Sequence, residues 1–186
     1  MAELAVFGDL VAKWTPKINL IARGSVASVW ERHILDSAQL YRFAPKDYEK
    51  WVDIGSGGGF PGIVMAILAK SFHPQAQFIL IESDQRKAAF LRTAARECGV
   101  RVTVLAQRIE NAPEQAADVV SARALTALSG LLPVAQRHLK PGGSPYFTRV
   151  DRRDKKSPTA KRTGRLTLKV MPVLLILTPK YLRSEG

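Results

Sequence analysis

The chain reads as an α/β fold, a doubly wound and mostly parallel sheet with a helical cap in front of it. Three observations predict this. Strand-like apolar runs alternate with helix-like segments through the middle of the chain, the pattern of a parallel sheet covered by helices. A glycine-rich turn, Gly55-Ser56-Gly57-Gly58-Gly59, joins the first such run to its helix. Ahead of the first run, residues 1–45 carry helical periodicity only.

Taken in order, residues 4–20 place Leu4, Val6, Leu10, Val11, Trp14, Ile18 and Leu20 at roughly helical spacing, with Pro16 positioned to end or kink that helix. A second helix is expected from about Val26 to Phe43, with His33 and Asp36 three apart on one face. That pair reads most simply as a local hydrogen-bonded contact, and without a further His or Cys nearby no metal site is expected. The core, 46–143, should hold strands at 51–55, 77–82, 101–106 and 117–121 and helices at about 62–70, 85–98 and 126–139. Pro61 suits a first helical position. Residues 144–186 form an atypical basic tail that is expected to be poorly ordered, and within it 151–165 are expected to bury little.

The composition sets bounds on function. With 186 residues, 46% of them apolar, there is material for one domain with a substantial core. The single cysteine, Cys98, excludes an intrachain disulfide framework and reads as a small core residue on a helix. The first residues lack the basic region of a signal peptide, and Val170 to Leu177 is too short to cross a bilayer. A cytoplasmic protein with no membrane association, working as a monomer, is expected. The net charge of +12 is uneven, because residues 145–186 hold 11 Lys/Arg against 3 Asp/Glu, leaving 17 against 13 for the rest. Basicity alone therefore says little about the folded part.

The glycine turn narrows the ligand. Glycines allow backbone with positive φ and a close approach with no Cβ in the way. A dinucleotide fingerprint needs a third glycine where Phe60 stands. The pattern here is Asp53-x-Gly55-x-Gly57-x-Gly59, the form found in S-adenosylmethionine (SAM) methyltransferases, and Glu82 at the tip of the next strand suits the two hydroxyls of an adenosine ribose. Four stretches should converge at the carboxyl ends of the strands: the 55–60 loop, Glu82-Ser83, Gln107-Arg108-Ile109-Glu110 and Ser121-Ala122-Arg123. Arg123 is the candidate for bidentate binding of a carboxylate or phosphate.

Four motifs in order, Arg32-His33-Ile34-Leu35-Asp36-Ser37, Asp53-Ile54-Gly55-x-Gly57-x-Gly59-Phe60-Pro61-Gly62, Glu82-Ser83 with Arg86-Lys87 and Phe90-Leu91, and Ala122-Arg123-Ala124, resemble the ribosomal RNA small subunit methyltransferase G family, also called glucose-inhibited division protein B. The resemblance runs from about Leu10 to Gly143. It implies a Rossmann-like SAM-dependent methyltransferase that places a methyl group on N7 of one guanosine in 16S rRNA of the small ribosomal subunit. It puts cofactor contacts on Gly55, Phe60, the backbone around Ile109 and Glu110, and Arg123, beside Gly57 and Glu82 from the loop argument. Arg123 is the residue expected to act electrostatically near cofactor and target. Arg32, His33, Arg86 and Lys87 are candidates for phosphate contact. Guanine N7 has a lone pair and no proton, so positioning rather than a general base is required. The chain shows neither the Asp/Asn-Pro-Pro-aromatic loop of amine methylation nor a cysteine pair for attack on a pyrimidine.

Beyond Gly143 the pattern changes to Ser144-Pro145-Tyr146-Phe147-Thr148-Arg149-Val150-Asp151. Reading the possible codons one nucleotide earlier permits Ala-Leu-Phe-His-Lys-Gly-Arg, which is what the family would place there, so the tail reads as a frameshift product whose charge has no evolved role in binding RNA. Two other functions stay open at this point, a small-molecule SAM methyltransferase and a nucleotide- or RNA-binding domain without catalysis.

Overall fold

Strand β1 (Lys50–Ile54) shows how the sequence makes the sheet, because successive side chains point to opposite faces. Trp51 enters one core cluster, while Val52 and Ile54 enter the other. The same division recurs along β2 (Gln77–Ile81), with Phe78 and Leu80 on one side and Ile81 on the other. The computed structural model describes residues 1–124, 128–149 and 171–172. The remaining strands are β3 (Val102–Leu105), β4 (Ala117–Ala124), β5 (Leu139–Arg149) and β6 (Met171–Pro172). Their order is β3-β2-β1-β4-β5-β6, with β1 to β5 parallel and β6 antiparallel to β5. The order reverses at β1, which makes a crevice at the carboxyl ends of β1 and β4 the expected ligand position.

Helix α1 (Ala2–Ile18) runs through Pro16 instead of ending there. The Thr15 hydroxyl donates to the Val11 carbonyl at 2.7 Å, and Asn19, in left-handed backbone at φ 56°, closes the helix by donating its N–H to Thr15 O. The second helix, expected from about Val26 to Phe43, is helical throughout that span but changes its winding along the way. A 3₁₀ turn (Arg23–Ser28) leads into a widened π turn (Trp30–Leu35), a single α turn α2 (Asp36–Gln39) and a further 3₁₀ turn (Leu40–Phe43). The π turn coincides with Arg32 and His33, which are held from outside the cap as described below.

Helices α3 (Gly62–Phe72), α4 (Gln85–Glu97) and α5 (Leu128–His138) complete the layers. Pro61 caps α3 rather than occupying its first turn. Residues α1, α3 and α4 contribute, among them Phe7, Ile63 and Phe90, pack with Trp51 and Phe78, while Ala135 and Leu131 of α5 cover the face of Val52 and Val120. Strand β5 continues through Tyr146 and Phe147, which are buried on opposite faces. Expectations for residues 126–127 and for 151–165 fall outside the described residues. No described helix is long and apolar enough to cross a membrane.

Candidate functional site

The site begins with Asp53, fully buried near the end of β1. Ser121 of β4 donates its hydroxyl to Asp53 Oδ1 at 2.7 Å and itself accepts from the Trp51 indole N–H at 2.8 Å. The Gly62 N–H at the start of α3 donates to Asp53 Oδ2 at 3.2 Å. Burial pushes the Asp53 carboxyl up to about 6, against the pull of these donors. One carboxylate thus joins β1, β4 and α3, and fixes both ends of the turn between them.

Within that turn Gly55 and Gly57 have φ of 65° and 51°, left-handed backbone that favours glycine. A Cβ at Gly55 would meet nothing within 4 Å, because it would stand in open space. Gly57 donates its N–H to Glu82 Oε2 at 2.7 Å, and Asp84 donates its N–H to Glu82 Oε1 at 2.8 Å. Glu82 is therefore buried with each oxygen on backbone, bracing the glycine turn against the end of β2. Asp84 caps α4, its Oδ1 accepting from the N–H groups of Arg86 at 2.8 Å and Lys87 at 3.3 Å.

A cleft of about 260 Å³ opens beside these groups. Gly55, Glu82, Ile109 and Glu110 line it, and Leu131 and Val134 of α5 form its other wall. Ile109 and Glu110 sit in a short 3₁₀ turn (Ile109–Asn111) after β3. So the structure brings together the first three of the four expected stretches.

The fourth stretch forms a separate cluster facing the cap. Arg123, its side chain 14% exposed, donates from Nη1 to His33 Nδ1 at 2.6 Å and from Nη2 to the Arg32 carbonyl at 3.0 Å. Nη2 also lies 3.5 Å from Asp36 Oδ2. The guanidinium stands 5.8 Å from the centroid of the Phe60 ring, and the His33 ring packs on Phe60 at 5.1 Å. Burial, with the Arg123 and Arg32 charges, holds the His33 imidazole down at about 4, so it is neutral and accepts from Arg123. Burial raises the Asp36 carboxyl while Arg123 opposes the rise. His33 Nε2 and Asp36 Oδ1 are buried without a hydrogen-bond partner among the described residues.

Of the residues singled out from sequence, Gly55, Glu82, Ile109 and Glu110 line the cleft, and Gly57 is bonded to its edge. Phe60, 4% exposed, lies between Phe7 and the His33–Arg123 pair rather than among the residues lining the cleft. Arg86 and Lys87 occupy the first turn of α4 beside the Glu82 end, and Arg32 is exposed on the cap. Sequence reasoning quoted Asp53 without giving it a role, and missed Ser121 as its partner, Asp36 as a partner of Arg123, and the α5 wall. The wall has a detectable signal, since Leu131 and Val134 recur at helical spacing.

Comparison with known proteins gives a family and a fold. The family model described as rRNA small subunit methyltransferase G matches residues 1–172, past Gly143. The ribosomal RNA small subunit methyltransferase G of Ruegeria pomeroyi is 57% identical over 145 residues, covering 78% of this chain and 71% of that protein. Its counterpart in Cereibacter sphaeroides is 46% identical over 172 residues, covering 92% and 84%. Among solved structures, a putative O-methyltransferase from Klebsiella pneumoniae superposes with TM-score 0.55 at 23% identity, over 84% of this chain and 71% of that one. A SAM dependent methyltransferase from Aquifex aeolicus gives 0.53 at 18% identity, over 72% of each chain. At these identities the solved structures speak for the fold, a Rossmann-like methyltransferase architecture.

Proposed function

This chain belongs to the rRNA small subunit methyltransferase G family, and from that premise we propose that it carries a methyl group from SAM to N7 of a guanosine in 16S rRNA. It is an enzyme, a methyltransferase acting on ribosomal RNA. The observation that carries the cofactor assignment is the convergence of Gly55, Glu82, Ile109 and Glu110 on one cleft. The residues fit the group. A Cβ at Gly55 would project into open space beside the cleft, and a carboxylate has about four acceptor positions, so Glu82 with one backbone donor per oxygen keeps capacity for ribose hydroxyls. The cleft volume of about 260 Å³ suits the nucleoside portion, below the roughly 300–1,000 Å³ of sites that enclose a whole drug-sized ligand.

When bound, SAM supplies an electrophilic methyl group on its sulfonium. The protein's part is to hold and orient. Gly55, Gly57, Glu82, Ile109 and Glu110 hold the nucleoside, and Phe60 with Arg123 forms the side toward the cap. Arg123 acts electrostatically and by position, its guanidinium fixed by His33 and the Arg32 carbonyl. No residue has to remove a proton, because guanine N7 has none to lose. Arg32, Arg86 and Lys87 are the proposed phosphate contacts, whereas His33, neutral and engaged, contributes by holding Arg123. The proposed setting is the cytoplasm, with the small ribosomal subunit as partner and the chain acting as a monomer.

Calorimetry on the purified chain tests the cofactor, with micromolar-scale binding of SAM or its demethylated product expected. No heat with SAM but heat with a nicotinamide dinucleotide would sink the reading. Small subunits that lack the modification test the target. Strand scission at 7-methylguanosine after incubation should appear at one position of 16S rRNA, and a methyl group found on an exocyclic amine or a pyrimidine instead would refute N7.

A further inference from the structure

Helix α5 does more than wall the cleft. Val134 lines it, and Arg137, one turn further along the same helix face, reaches across to the opposite wall. Arg137 Nη1 donates to the Glu110 carbonyl at 2.6 Å, and Nη2 donates to the Ala112 carbonyl at 2.9 Å. Glu114 Oε1 lies 3.8 Å from Arg137 Nε, so the guanidinium is also ion-paired by the same loop. His138, next in the chain, is fully buried, and burial lowers its pKa while backbone of Ile109 and Pro113 lies against it. Ala112 is itself fully buried in the core cluster that α5 covers. The turn carrying Ile109 and Glu110 is only three residues long and has little structure of its own to hold it.

We propose that Arg137 is the positioning residue of the nucleoside site: its two-pronged grip on the Glu110 and Ala112 carbonyls fixes the turn that carries Ile109 and Glu110 at the distance from Leu131 and Val134 that a flat base requires. The group does not touch the ligand. It acts through the loop, and it is a planar guanidinium rather than an ammonium because two carbonyls on one turn must be held at once. This inference rests on the reading of the cleft as a SAM site.

Titration of the full chain with S-adenosylhomocysteine distinguishes the two. If the parent chain does not bind it, the reading of the cleft fails and the inference falls with it. If the parent binds, Arg137→Ala should weaken binding by about tenfold or more, the effect of one or two charge-assisted hydrogen bonds. Arg137→Lys, able to hold one carbonyl at a time, should fall between the two. Guanidinium ion added at low millimolar concentration should restore part of the affinity of Arg137→Ala and leave unchanged that of Arg96→Ala, an exposed control in the last turn of α4 that keeps the parent's affinity. Amide hydrogen exchange across 109–112 should quicken in Arg137→Ala while that of β1 stays as in the parent. Unchanged affinity in Arg137→Ala would overturn the proposal, as would full affinity in Arg137→Lys. A loss of affinity accompanied by faster exchange throughout the sheet would also overturn it, since that marks a general fold defect.

Discussion

Arg123 is the residue on which the cap depends, and its replacement separates a structural role from a solvated charge. Its guanidinium is the counterion of Asp36, whose side chain is 7% exposed, and the donor to a neutral His33. Arg123→Ala leaves a buried carboxylate without its cation, so we expect a loss of about 1.5–3 kcal/mol in stability, with cofactor binding or methyl transfer weakened as well. Urea denaturation and turnover measure the two, and a variant equal to the parent in both would make Arg123 a surface charge. His33 adds a pH dependence with a defined sign. Its pKa is about 4 in the fold against an ordinary 6.5, so between these values the unfolded chain binds more protons. The stability it contributes is full above about pH 6.5 and is lost as pH falls toward 4. Asp53 runs the other way, its raised pKa of about 6 giving a contribution present at low pH and lost as pH rises through 6. His33→Gln, which keeps an acceptor for Arg123 and does not titrate, should therefore flatten the acid limb of the stability curve. Parallel losses in parent and variant between about pH 7 and pH 4.5 would show that another group titrates.

At the scale of elements, what was legible in the sequence is what local pattern controls. The expected strand at 51–55 is Lys50–Ile54 and the expected helix at 85–98 is Gln85–Glu97, because an apolar run and helical spacing are both read from neighbours in the chain. The change of winding within the second cap helix was not legible, and neither was the bond that ties its His33 to Arg123, 90 positions further on. Strand β5 was hidden for another reason. Its Pro141, Gly142, Gly143 and Pro145 argue against a strand, and it is the partner β4, pairing from Ala117 to Ala124, that draws it into the sheet. Likewise the cleft loops could be expected at the strand tips, but their brace from Arg137 lies 27 positions from Glu110 and has no local signal. The junction of β1 and α3 offers a test of how tightly elements meet. A Cβ on Gly62 would lie 2.5 Å from Leu80 Cδ2 and 2.7 Å from Asp53 Oδ2. Gly62→Ala should cost about 1–3 kcal/mol by crowding the contact and displacing the N–H that Asp53 accepts. A melt within one degree of the parent would mean that α3 slides freely on the sheet.

Over the whole molecule, the positive charge and the sheet edge meet in the last segment. Strand β5 is paired along one side by β4, whereas β6 covers only Tyr146 and Phe147 on the other, through Pro172 and Met171. That contact falls inside 170–177, the apolar part of the tail, and two residues of pairing leave most of an eleven-residue strand with an unpaired edge among the described residues. Tyr146 makes a place for itself, stacking on Trp51 at 6.2 Å and donating its hydroxyl to the Phe43 carbonyl at 2.6 Å. An aliphatic residue at 146 with an apolar or aromatic one at 147, as the shifted frame supplies, would fill the same two faces without that polar contact. We therefore expect the chain rewritten in the shifted frame from codon 144 to melt higher by about 2 °C or more, in line with one or more kcal/mol regained from a fully paired edge. It should also aggregate less and methylate small-subunit rRNA faster, because β4 and the Arg123 cluster at its end are held by β5. Thermal melts and methyl incorporation on the two chains decide the matter. If the present chain melts no lower and methylates as fast, its tail is an evolved part of the enzyme, and the excess of Lys and Arg after residue 144 becomes a candidate RNA contact rather than a by-product of reading frame.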